Sequence, residues 1–302
     1  MDARNTFSSN GKRGCIFCGG SPLTKEHIWS DWLDSILPRG SSHRSEARET
    51  TVVDAVVEGL PVYRPIQKHE RVREGAVHST KTRTVCKRCN GGWMKEIVDR
   101  AKAVAERVIR LQAHVLSPDD QVRLATWLAL SAVMRDQKAI AHPQKIQSDV
   151  LHHLSSRSLP PPDVFVAVGA FLGPKSVADS YNVRVAREID APHKIVSSMH
   201  SVAVSMGGLF AVMIVPWRVA PGLLEQLPAL YADSLTQIWP PQDRDIPWPN
   251  YARAVIRGAF EVDDPGNAFP LSLRARAAYK ASFQGRMILP NTLPRGKRNF
   301  DY

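Results

Sequence analysis

Apolar residues recur at three- and four-residue spacing through Met94, Ile97, Val98, Ala101, Val104, Ala105, Val108 and Leu111, which predicts one long helix with a single buried face. The stretch SPDDQVRLATWLALSAVMRD, residues 117 to 136, predicts a second helix. Ser117 is placed to cap it, Pro118 suits its first turn, and Asp119 and Asp120 sit at the positive end of its dipole. Upstream, SDWLDSIL (30 to 37) predicts a short helix, with Ser30 as cap, Trp32, Leu33, Ile36 and Leu37 inward, and Pro38 ending it.

Other segments follow the two-residue period of strands. TTVVDAVV (50 to 57) predicts a strand after the polar loop SSHRSEARE, and RVREGAVHSTKTRTV (71 to 85) predicts a hairpin turning at Glu74-Gly75. Further strands are expected at VFVAVGAF (164 to 171), YNVRVA (181 to 186), SVAVSM (201 to 206) and GLFAVMIVPW (208 to 217), the last two joined at Gly207-Gly208. WPPQDRDIPWPN (239 to 250) reads as an ordered loop and the tail from Pro290 as mobile. Strands that cluster instead of alternating with helices give the α+β class. No internal repeat is present.

A length of 302 residues with 43% apolar content provides for two domains, placed at 1–100 and 101–302, the second larger, helical and antiparallel-sheeted. No apolar run approaches the roughly 20 residues needed to cross a bilayer, so no membrane partner is expected and the expected location is cytoplasmic. A formal charge of +11 favours a polyanionic partner such as nucleic acid. The excess is concentrated in Arg71, Arg73, Lys81, Arg83, Lys87 and Arg88, with one acid, Glu74, among them, and in a second cluster from Leu271 to Phe300.

The first basic cluster runs into CKRCN, and this changes the picture. All four cysteines fall in two C-x-x-C pairs, Cys15 with Cys18 and Cys86 with Cys89, separated by the 67 residues from 19 to 85. In a reducing compartment such pairs are better read as metal ligands than as disulfides. Four thiolates make a closed tetrahedral zinc site that stabilises the fold and leaves no position for substrate. Gly19 and Gly20 allow the backbone to turn beneath the sulfurs. Pinning the two pairs together brings His27 and Glu26 near Asn90. A neutral histidine there can take a proton from water, and Glu26 and the Asn90 amide offer oxygen ligands to Mg²⁺ or Mn²⁺.

The order CIFC, KEHIW, an insert and CKRCNGGWM resembles the zinc-containing HNH endonucleases, over about residues 12 to 100. The resemblance implies a treble-clef-like ββα-metal domain that hydrolyses phosphodiester bonds in nucleic acid, DNA more than RNA. It implies His27 as general base, Glu26 as the acid beside the catalytic metal, Asn90 as the residue after the last cysteine, and the four cysteines as structural zinc ligands. The sequence departs from the pattern in two places: STKTRTV lacks the usual asparagine before the second pair, and GGWMKEIVDR lacks a further histidine. His78 is the nearest replacement.

Plainer readings stand beside these. His27 can be a structural prop, Asn90 the cap of the long helix, and Trp29, Trp32 and Trp93 core packing for the zinc unit. The alternative function is a zinc-dependent nucleic-acid-binding or protein-interaction module without turnover.

Overall fold

The computed structural model describes residues 14–37, 43–57, 60–74, 80–138, 146, 148–171, 179–188, 195–217 and 235–251. His78, the cluster from Leu271 to Phe300 and the tail from Pro290 lie outside them. The described part is a mixture of helices and mainly antiparallel sheet, the expected α+β class.

Near the amino terminus, β1 (Leu23–His27) pairs antiparallel with β4 (Lys81–Cys86). A helical run starts directly at the end of β4: α1 (Lys87–Cys89), a wide π-type turn (Asn90–Met94), then α2 (Lys95–Ile109). The expected periodicity holds in α2, where Ile97, Ala101, Val104, Ala105, Val108 and Ile109 are buried. The helix ends where Leu111 adopts φ 55, with Leu111 N–H donating to Val108 O at 3.1 Å and Gln112 N–H to Arg107 O at 2.9 Å. These two bonds satisfy carbonyls that the helix end leaves open.

The second helix, α3 (Pro118–Lys138), is capped as expected, since Ser117 Oγ accepts from the Asp120 N–H at 3.2 Å. It packs against α2 and lies on the large sheet. A further helix, α4 (Ser148–Arg157), was not anticipated from the sequence. Among the described residues seven strands form the sheet, in the order β10 (Thr236–Trp239), β6 (Phe165–Ala170), β9 (Leu209–Trp217), β8 (Ile195–Met206), β7 (Asp179–Glu188), β2 (His43–Val57) and β3 (Leu60–Glu74). All neighbours are antiparallel except β2 and β7. The Gly207-Gly208 turn joins β8 to β9, with Met206 opposite Leu209.

Four local expectations are corrected. The hairpin around Glu74-Gly75 does not form: Arg71 to Glu74 pair with His43 to Glu46, while residues 81–86 pair with β1. Residues 43–49, read as loop, extend β2, because a long partner strand supplies their backbone hydrogen bonds. Ser30 precedes a 3₁₀ turn (Asp31–Ser35) without capping it; its hydroxyl accepts from Trp127 Nε1 at 3.0 Å. The Pro-rich segment holds β11 (Ile246–Trp248), which pairs with β5 (His114–Leu116).

One contiguous core runs from Cys15, Trp29 and Leu33 through α2 and α3 to Val166, Met213 and Trp248. Trp127 joins its parts, lying 5.8 Å from the Trp32 ring as well as bonding Ser30. Buried Gln121 has its amide satisfied by Leu116 O at 3.3 Å, Arg244 O at 2.8 Å and the Gln242 N–H at 2.8 Å, fastening the β11 segment to α3.

Candidate metal centre and its surroundings

The first cysteine pair sits in a tight knuckle. Cys15 N–H donates to Gly20 O at 2.9 Å and Gly19 N–H to Cys15 O at 2.7 Å, with Gly19 at φ 70. Glycine is required at the start of this loop for a steric reason: a Cβ on Gly14 would lie 2.4 Å from Gly19 O. Ile16 N–H donates to Thr84 O at 2.9 Å, tying the knuckle to β4, whose last residue is Cys86. Cys89 follows one helical turn later.

This brings the four sulfurs within 4.8 Å of one another. Cys18 Sγ lies 3.5 Å from both Cys86 Sγ and Cys89 Sγ. Four thiolates around a tetrahedral zinc at about 2.3 Å would stand about 3.8 Å apart. Donor type and spacing therefore fit, and the four cysteines could hold a metal such as zinc. Gly20 is part of this fit, since a Cβ there would come within 3.3 Å of Cys18 Sγ.

Burial pushes the Cys18 thiol up, but hydrogen bonds from the Gly20 backbone and from Cys89, Cys86 and Cys15 outweigh it and bring it down to about 6. Burial, reinforced by the bond to Cys18, pushes Cys89 up to about 12. Burial likewise raises Cys15. Two neighbours that the sequence did not single out as ligand supports complete the surroundings. Arg88 lies beside Cys18, whose thiolate charge, with that of Cys86 and Cys89, holds it the more firmly protonated. Trp93 lies beside Cys89 and opposes the rise of its pKa, its ring standing edge-on to Phe17 at 4.8 Å. Trp29 is fully buried, and Trp32 and Trp93 pack against the core, as expected for packing residues.

On the ribbon above this centre, Asn90 does not cap α2, because the helical run has already begun at Lys87. Its amide reaches back to β1, donating to Thr24 Oγ1 at 3.3 Å, beside the Glu26 carboxyl. Burial raises the Glu26 pKa above the usual glutamate range; Asn90 opposes this, the charge of Asp31 adds to it, and Lys81 opposes it. Asp31 is a second carboxylate in this neighbourhood that the sequence reading missed. His27 is half-buried, and its Nδ1 is buried with no hydrogen-bond partner among the described residues.

Which face each side chain takes follows from the pairing. Glu26 stands opposite Thr82 and His27 opposite Lys81, and an irregularity between Thr24 and Glu26 shifts the register. The shift sets Thr24 and Glu26 on the face shared with buried Thr82 and Val85. Lys25, His27, Lys81 and Arg83 take the other face, where the three cations are exposed. Lys87 and Arg88 are exposed at the ribbon's end. Arg71 and Arg73 are elsewhere, on edge strand β3, opposite Glu46 and Arg44.

Among the described residues no helix is long and apolar enough to cross a membrane. In comparisons with family models, curated proteins and solved structures, the chain matches none.

Proposed function

We propose that the chain is a zinc-stabilised nuclease of the HNH type that hydrolyses phosphodiester bonds in nucleic acid with a divalent cation. The observation that carries this reading is the buried Nδ1 of His27, without a hydrogen-bond partner among the described residues and one residue from Glu26, which Asn90 neighbours. Leaving a buried polar group unpaired costs about 1–3 kcal/mol. A histidine kept only to brace the ribbon would spend that nitrogen on a hydrogen bond. The two-stranded ribbon leading into a helix, with cysteine pairs at its two roots, supports the same reading.

In this scheme neutral His27 takes a proton from the attacking water. The Glu26 carboxyl and the Asn90 amide oxygen would hold Mg²⁺ or Mn²⁺, a donor set that suits an ion bound through one or two carboxylates and completed by water and phosphate. A cation there supplies positive charge beside the departing oxygen. Lys81, across from His27, adds fixed charge for the phosphate.

A specific observation favours a second reading, a zinc-dependent nucleic-acid-binding module without turnover. Strand alternation turns His27 to the face opposite Glu26, and the Asn90 amide already donates to Thr24.

Cleavage of supercoiled plasmid, single-stranded DNA and RNA with Mg²⁺, Mn²⁺ or EDTA separates the two. The nuclease reading expects metal-dependent cleavage that falls by about 10²- to 10⁴-fold in a zinc-retaining His27→Ala variant. No cleavage by folded, zinc-loaded wild type would leave the binding module.

A further inference from the structure

We infer that the outer face of the β1–β4 ribbon is a docking surface for B-form duplex DNA, with Lys25, Lys81 and Arg83 seated on its phosphates. This rests on the nucleic-acid part of the function proposed above and is independent of turnover.

Three observations carry it. First, the register shift in the ribbon sorts its side chains by charge. The outer face carries Lys25, His27, Lys81 and Arg83 and no acid, while Glu26 is turned inward. None of the three cations is in an ion pair among the described residues. Lys25 and Arg83 are exposed charges without an ion pair among the described residues, Lys81 beside them feels only the charge of Glu26, and a phosphate backbone is the partner that offsets such a cluster while releasing its counterions.

Second, among the described residues the surface offers charge without a stacking platform. Trp29, Trp32 and Trp93 are buried or packed on the core, and Phe17 is packed against Trp93. Single strands are held largely by bases stacked on aromatic side chains, so a face without them suits a duplex, whose phosphates lie outside. Third, the shape is a two-stranded ribbon, which the major groove of B-form DNA admits and the deep, narrow major groove of A-form RNA does not.

The geometry also revises which basic residues belong together. Lys25 joins the set, being exposed on the same face. Arg88 is drawn to the Cys18 sulfur, and Arg71 and Arg73 belong to the edge of another sheet.

The test is the salt dependence of binding to a blunt DNA duplex in EDTA, which removes cleavage from the readout. Wild type is compared with the triple variant Lys25→Ala, Lys81→Ala, Arg83→Ala and with Arg71→Ala, Arg73→Ala, after each is shown to retain its metal and circular dichroism. Losing three phosphate contacts should flatten the plot of log affinity against log salt by about 2.7. The affinity lost between about 50 and 200 mM salt then shrinks by about 40-fold. The Arg71/Arg73 variant should keep the wild-type slope, and an RNA duplex or single-stranded DNA should bind more weakly than the DNA duplex. An unchanged slope in the triple variant, a flattened slope in the Arg71/Arg73 variant, or preference for RNA or a single strand would overturn the proposal while leaving nucleic-acid binding intact. Absence of duplex binding by wild type would overturn both.

Discussion

Glu26 is placed where its own ionisation works against folding. Burial and the charge of Asp31 raise its pKa, and the opposing pull of Asn90 and Lys81 does not cancel them. An acid whose folded pKa lies above its unfolded value of about 4.3 binds more protons in the folded state between those two values, so folding stability falls as pH rises through that window. Glu26→Gln removes the charge and keeps an acceptor for Asn90. The variant should therefore be more stable than wild type at pH 7, with the gap closing below about pH 4. Denaturant midpoints measured across pH would check this, and a variant less stable at pH 7 would contradict it. At this scale much was legible in the sequence, because two C-x-x-C pairs constrain chemistry directly, and the structure does gather Cys15, Cys18, Cys86 and Cys89. What was not legible depends on direction. Asn90 suits a helix cap by type, but the helix had already begun three residues earlier. Lys25 and Arg88 are ordinary surface cations until the ribbon and the knuckle set their neighbours.

Among elements, the two long helices were readable because their apolar faces and the Ser117 cap agree. Strand partners were not. RVREGAVHSTKTRTV alternates well enough for a hairpin, yet its halves go to different sheets, since alternation specifies a buried face and says nothing of the neighbour. The β8–β9 turn shows how closely elements can dock. Gly208 N–H donates to Ile109 O at 2.7 Å at the end of α2, and a Cβ on Gly208 would lie 2.2 Å from Leu111 Cγ. Gly208→Ala should thus destabilise the protein by about 1–3 kcal/mol through overpacking. Combined with Leu111→Ala it should cost less than the sum of the single changes, because the clashing group is gone. Strict additivity in chemical denaturation would show that the turn does not pack on α2 as described.

Across the whole molecule, the 67 residues between the cysteine pairs are not a free insert, because β2 and β3 extend the edge of the large sheet through the parallel pairing of β2 with β7. That parallel pairing joins segments more than 100 residues apart, and no local pattern announces such a contact. The cysteine centre closes the loop from the other side, joining the knuckle after Gly14 to the start of the long helical run, and its buried cysteines belong to the same core as Trp127 and Met213. A metal there would fix the ribbon that carries His27, Glu26 and the basic face, so the functional reading depends on it. The decisive measurement is X-ray absorption at the zinc edge of the purified 302-residue chain. About one zinc per chain is expected, surrounded by four sulfurs at about 2.3 Å. Absence of zinc, or a shell in which nitrogen or oxygen replaces some of the sulfur, would contradict it.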